Sequence, residues 1–215
     1  MGGRGSFSRF RGGSRFGRGQ LPEWRNNDDA LRQLMLDTGF TEAQARIAQM
    51  NLIRYFGADY GSFTSGQLPR ETRNITQALL RMPHYNGGDI YRGIDVTNAV
   101  ADKFLSDWKP GTRQTFGILQ SFSSREDVAD GFSNWYCGGS DSTSIKFVMV
   151  GNKTAPGTQH LSKFGESEAE VLSPHTQHFG VLRTTTAVNS SGHRQITIYI
   201  KDEGTRKKRK NGCSS

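Results

Sequence analysis

The sequence predicts an α+β domain, with helices first and a mostly antiparallel β-sandwich core after them. Two observations carry that reading. Apolar residues recur at helical spacing as far as about residue 81, and beyond it short strand-like runs alternate with turn residues. From Asn27 to Tyr60 the pattern is helical: Asp28 or Asp29 supplies an N-cap, and Leu31, Leu34 and Met35 line one face. Asp37-Thr38-Gly39-Phe40 breaks that helix. Thr41 and Glu42 start the next, with Ala45, Ile47, Ala48, Leu52, Ile53 and Phe56 as its apolar face. Gly57 and Gly61-Ser62 mark a bend. A third helix covers Glu71 to Arg81, carries Ile75, Ala78 and Leu79, and is stopped by Pro83.

The strand section follows. Asp89–Ile94 is the first candidate, then a helix through Val100–Trp108 and a turn at Lys109-Pro110-Gly111. Phe116–Phe122, Ser144–Val150, Ala169–Leu172, Phe179–Val188 and His193–Lys201 complete the set. The last two flank Asn189-Ser190-Ser191-Gly192, which reads as a hairpin loop.

Composition divides the chain into three. Residues 1–20 are mostly Gly, Arg, Ser and Phe without an acid or an apolar period, and are expected to be disordered. Residues 21–205 form the domain, and residues 206–215 form a second tail that opens on a basic run, Arg206-Lys207-Lys208-Arg209-Lys210. The formal net charge is +8, from 28 basic and 20 acidic residues. Setting aside the ten cations of the two tails leaves 18 basic residues against the 20 acids. The positive charge therefore belongs to the tails, and a folded nucleic-acid-reading face is not expected, although Arg/Gly/Phe-rich tails suit contact with RNA. Cys137 and Cys213 lack metal-ligand or disulfide-framework spacing, so no metal is expected. No apolar run is long enough to span a membrane, and no secretory h-region follows the start. The expectation is a protein acting in the cytoplasm of a bacterium, or one delivered by a dedicated secretion route.

Three separated clusters carry chemistry. In Tyr91-Arg92-Gly93 the guanidinium is a permanent, planar fork suited to phosphate oxygens, and the glycine permits close approach to the main chain. In Ser121-Phe122-Ser123, with Val128-Ala129 and Phe132 downstream, Ser121 is placed to bond a ribose hydroxyl or to hold a carboxylate. Phe132, Trp135 and Tyr136 offer rings for stacking. In Glu168-Ala169-Glu170-Val171-Leu172 two carboxylates two residues apart would share one face of a strand. Like charges so close need a compensating ligand, and one could shelter a sugar cation while the other prepares a nucleophile. Glu166 has the same spacing to Glu168, and the later pair is preferred because Val171-Leu172 follows directly. Taken singly, each cluster is more readily an ordinary surface arginine, strand serine or acidic edge.

Together and in this order they resemble the arginine–serine–glutamate class of mono-ADP-ribosyltransferases, which includes binary-toxin-like and bacteriophage enzymes. Ile90-Tyr91-Arg92-Gly93 is similar to the arginine motif, and Ser121-Phe122-Ser123 to the serine motif with phenylalanine in place of its middle threonine. Glu168-Ala169-Glu170 is similar to the ExE motif. Asn51 to Phe56, Tyr60, Ile75 and Leu79-Leu80-Arg81 resemble the helical lead-in, so the likeness covers roughly residues 45–201. The resemblance implies an ADP-ribosyltransferase fold with NAD as co-substrate. It implies that Arg92 holds the NAD phosphates, Gly93 meets the nicotinamide amide through its backbone, Ser121 supports ribose and glutamate, and Phe132 stacks on nicotinamide. Glu170 would stabilise the oxocarbenium-like ribose, and Glu168 would engage the acceptor. An acid at the earlier position resembles arginine-modifying members, so the expected partner is an arginine-bearing protein, such as host transcription or translation machinery. The alternatives are an NAD glycohydrolase and an RNA- or nucleoprotein-binding module with a decayed NAD site.

Overall fold

Thr41 shows how locally the helical half is written. Its hydroxyl accepts from the Gln44 amide while the Gln44 side chain accepts from the Thr41 amide, a capping box that starts α2 (Glu42–Tyr55). The preceding helix, α1 (Asn27–Thr38), has Asp28 and Asp29 in its first turn rather than as the cap. It stops where Gly39 takes φ +67° and its amide donates to the Met35 carbonyl. Two further helices are α3 (Tyr60–Thr64), where the sequence suggested only a bend, and α4 (Pro69–Leu79). α4 begins earlier than expected because Pro69 suits a first helical position, where no amide is needed. The computed structural model describes residues 27–158, 161 and 167–205; the two tails and Glu166 lie outside the described residues.

The strand half comprises β1 (Ile90–Thr97), α5 (Asn98–Asp107), β2 (Arg113–Gln114), β3 (Gln120–Ser123), α6 (Glu126–Phe132), β4 (Ser142–Val150), β5 (Glu170–Ser173), β6 (Gln177–Val188) and β7 (Arg194–Thr205). The expected run Phe116–Phe122 is divided. Only its end is strand, while Phe116 packs its ring between Trp108 and Phe147, at 4.9 and 5.2 Å between centroids. The short helix α6 was not foreseen. The β6–β7 hairpin turns at the expected place, with the Asn189 side chain accepting from the amides of Ser191 and His193.

The strands are ordered β2-β6-β7-β4-β1-β3-β5, and every pairing is antiparallel except β4 with β7. This is the mostly antiparallel α+β core that the sequence predicts. Besides the register shifts within the β6–β7 pair, the ladder is interrupted at β1. That strand pairs with β4 along all eight of its residues but meets β3 only at Tyr91 and Ser123. Extending that register would set Gly93 opposite Ser121, yet the strands have already parted there.

Alternation then assigns the two faces of β3 and β5 to two different cores. Phe122 and Val171 join Ile90, Ile145, Phe147, Phe179, Ile196 and Ile198 in the core between the strands. Leu172, from the opposite face, joins Leu34, Leu52, Tyr55, Phe63, Ile75 and Leu79 in the core beneath the helices. Each fully buried Leu, Ile or Phe contributes about 1.5–3 kcal/mol. Ser121 and Glu170 share the Leu172 face by the same alternation, so the fold sets both polar side chains under the helical layer.

Candidate active site

The three clusters of the sequence converge on neighbouring strands, Arg92 and Gly93 on β1, Ser121 on β3, and Glu170 at the head of β5. Arg92 spans the gap where β1 and β3 separate: its guanidinium donates to the Ser121 carbonyl at 2.7 Å. A ladder acceptor left without a strand amide is thus satisfied by a side chain, and the cation is held across the opening. Ser123 faces Glu170 directly across the β3–β5 pair, while Ser121 stands opposite Leu172. Ser121 and Glu170 are therefore diagonal neighbours on one face, close enough for a long side chain to bridge.

The two glutamates are not side by side on an extended strand, as their spacing suggested. The strand begins at Glu170, and Glu168 stands in the turn before it. Between them Ala169 adopts φ +43°, a left-handed conformation that costs a non-glycine residue roughly 1 kcal/mol. What holds it there is the end of the serine strand. The Ser123 hydroxyl donates to the Glu168 carbonyl at 2.6 Å, and the Ser124 amide donates to the Ala169 carbonyl at 3.0 Å. Ser123 also accepts from the Arg125 amide at 3.0 Å. Ser123 and Ser124 thus fix the turn that separates the carboxylates, a role the sequence gave no means to assign. Glu170 is buried, 4% exposed, whereas Glu168 is only partly covered.

Gly93 also has a packing cause that its neighbours in sequence did not suggest. A Cβ built on it would lie 1.8 Å from the Ala129 carbonyl oxygen and 3.0 Å from the Ser133 Cβ. The missing side chain admits the backbone of α6, which packs directly onto β1. α6 in turn is tied down by Lys146 of β4, which pairs with Asp130 and Glu126 and lies 4.3 Å over the Trp135 ring. Burial alone would lower the Lys146 ammonium, but its hydrogen bonds to Asp130 and Glu126 outweigh that and raise its pKa. Phe132 closes α6 and is 53% exposed, a large ring presented to solvent one residue before Ser133. Trp135 and Tyr136 do not join it as a stack: Trp135 lies under Lys146, and Tyr136 donates to Asp130 at 3.1 Å.

One further residue belongs here. Tyr55, the last residue of α2, is fully buried, and its hydroxyl lies 2.9 Å from Ser121 Oγ. Burial, with Tyr60 and Glu170 beside it, pushes this phenol well above its ordinary range, while Ser121 and Arg92 act in the opposite direction. Arg92, Ser121 and Glu170 are thereby all neighbours of one side chain. The sequence offered Tyr55 only as one residue of the stretch Asn51 to Phe56 that resembles the helical lead-in, because periodicity does not link its polar tip to Ser121.

No protein-family model and no curated protein sequence matches the chain. Solved structures do. The type III effector XopAI from Xanthomonas axonopodis pv. citri superposes with TM-score 0.55 at 15% identity, covering 81% of this chain and 76% of that one. Plx2a, an ADP-ribosyltransferase toxin from Paenibacillus larvae, gives TM-score 0.51 at 15% identity over 82% of this chain and 96% of its own. Exoenzyme S from Pseudomonas aeruginosa, solved with human 14-3-3 protein beta and carba-NAD, gives 0.51 at 16% over 81% and 82%. At these identities the likeness is one of architecture, and this chain has the fold of the ADP-ribosyltransferase toxin Plx2a, shared with XopAI and exoenzyme S.

Proposed function

We propose that this protein transfers ADP-ribose from NAD to arginine side chains of target proteins and releases nicotinamide. The observation that carries the proposal is the convergence just described. A permanent cation, a serine hydroxyl and a buried carboxylate meet where two paired strands part, in a fold shared with ADP-ribosyltransferases. Arg92 spends one N–H on the Ser121 carbonyl and has four left to bind pyrophosphate oxygens. Ser121 supports the nicotinamide-side ribose together with Glu170, and the exposed Phe132 ring is suited to stack on the nicotinamide. Gly93 contributes main-chain groups on the side of β1 that β3 has left.

Glu170 stabilises the positive charge that builds on the ribose as the glycosidic C–N bond breaks, with the bonding pair leaving on nicotinamide. A guanidine nitrogen of the acceptor then donates the pair of the new C–N bond, and Glu168 pairs with the guanidinium and takes its proton. Their different surroundings suit this division. Glu170 acts from a buried position, where charge is felt strongly, and Glu168 from a turn that an incoming protein side chain can reach.

The test is incubation of the full chain with NAD labelled on the adenylate, with and without an arginine-bearing protein, scoring nicotinamide release and label transfer. Label on arginine supports the proposal. Nicotinamide release without transfer would instead identify an NAD glycohydrolase. Glu170→Gln is expected to lower turnover by about 10²–10⁴-fold while the thermal melt stays in place.

A further inference from the structure

The Tyr55 ring is wedged among Phe56, Tyr60 and Phe63, with centroids 5.3, 5.4 and 5.6 Å away, so it has no freedom to swing. Its hydroxyl projects out of this cage onto Ser121 Oγ at 2.9 Å. Ser121 carries one proton and otherwise rotates freely about its Cβ–Oγ bond. Its backbone carbonyl is already fixed by Arg92 at 2.7 Å, and Glu170 is its diagonal neighbour on the same face. The orientation of that hydroxyl is thus a degree of freedom that the Tyr55 contact can set.

We infer that Tyr55 is a positioning residue: its phenol donates to Ser121 Oγ and so turns the Ser121 proton towards Glu170 and the ribose that Glu170 would serve. The inference rests on the NAD chemistry proposed above. A phenol is protonated in the neutral range, and burial raises its pKa further, so Tyr55 has a proton to donate. Tyr55 itself need not touch substrate, and it acts only through the serine. It also ties the last residue of α2 to β3, so that the helical layer and the strand are joined at the site through a hydrogen bond as well as by apolar packing.

Tyr55→Phe keeps the ring and its packing and removes only the hydroxyl. Steady-state nicotinamide release is measured for wild type, Tyr55→Phe, Ser121→Ala and the double variant, alongside thermal melts. Loss of one hydrogen bond is expected to lower kcat about three- to tenfold, with KM for NAD unchanged. In the Ser121→Ala background Tyr55→Phe is expected to have no further effect, because the group it orients is gone. Tyr55→Phe at full wild-type kcat would overturn the inference, and so would an equal loss with and without the serine, which would assign the effect to packing. A wild-type chain that cleaves no NAD would overturn the functional proposal and this inference with it. An active wild type indifferent to Tyr55→Phe would overturn this inference alone.

Discussion

Replacing Gly93 with alanine introduces a methyl group where the Ala129 carbonyl already stands. The new Cβ would be 1.8 Å from that oxygen and 2.7 Å from its carbon. Contacts closer than about 3.0 Å are not tolerated, so α6 or β1 must shift by at least about 1.2 Å, and the obstacle is backbone rather than a side chain that can rotate away. Overpacking of this kind costs roughly 2–3 kcal/mol. For a domain of this size that corresponds to a fall in Tm of about 4–12 °C. The second consequence concerns the site. α6 carries Phe132 at its end, so its displacement moves a ring that the proposal assigns to nicotinamide, and KM for NAD should rise along with the loss of stability. Denaturant unfolding and nicotinamide release on the same preparation read both effects. Gly93→Ala with wild-type stability would refute the packing argument. Normal stability with damaged NAD binding would return the glycine to a role purely in ligand approach.

Two other perturbations test the surroundings of the site. Lys146→Met leaves the buried Asp130 without its counter-charge and should cost about 3–5 kcal/mol in urea unfolding, while Lys146→Met with Asp130→Leu should recover most of it. His175 lies 2.6 Å from the Thr76 hydroxyl and joins the β5–β6 turn to α4; burial, helped by Arg73, lowers its pKa. The unfolded chain therefore binds that proton more readily than the folded one. Stability from this histidine is fully present above about pH 6.5 and declines as pH falls towards the lowered folded value. Melts between about pH 5 and 8 should show that slope, and His175→Asn should flatten it.

The order of the longer helices and strands was legible where an element has a local cause, as in the Thr41 capping box, the left-handed Gly39 and the Asn189 hairpin turn, whereas the short α3, β2 and α6 were not. Two further kinds of feature were not legible either. Phe116 reads as part of a strand because aromatic residues favour strands, but its ring is spent among Trp108, Phe147 and Phe179 and its backbone remains outside the ladder. The site showed a similar division. Arg92, Ser121 and Glu170 stand out by residue type and order, since the phosphate binding and cation stabilisation proposed for them would use those groups. Tyr55, Ser123 and Ser124 act through a hydroxyl or an amide on another element, and nothing in linear spacing links residue 55 to residue 121. Gly93 stood out in the sequence as a point of close approach, but nothing there showed that the backbone of α6 at Ala129, 36 residues further on, fills the space of its missing side chain.

The pair Glu168 and Glu170 shows why spacing alone misjudges such a motif. Two residues apart on a strand would place both carboxylates on one face, in one environment, with like charges opposing each other. A single left-handed residue prevents this. At Ala169 the chain turns so that Glu170 enters β5 and is buried, while Glu168 remains in the turn. The strain at Ala169 is offset by hydrogen bonds from Ser123, the last residue of the strand that also carries Ser121, and from Ser124 just after it. The serine strand thus acts twice, through Ser121 beside the buried glutamate and through its last residues on the turn that keeps the two acids apart. Under the proposed reaction the two positions suit two tasks, because Glu170 stabilises charge on the ribosyl carbon while Glu168 takes its proton from the guanidine nitrogen that attacks that carbon.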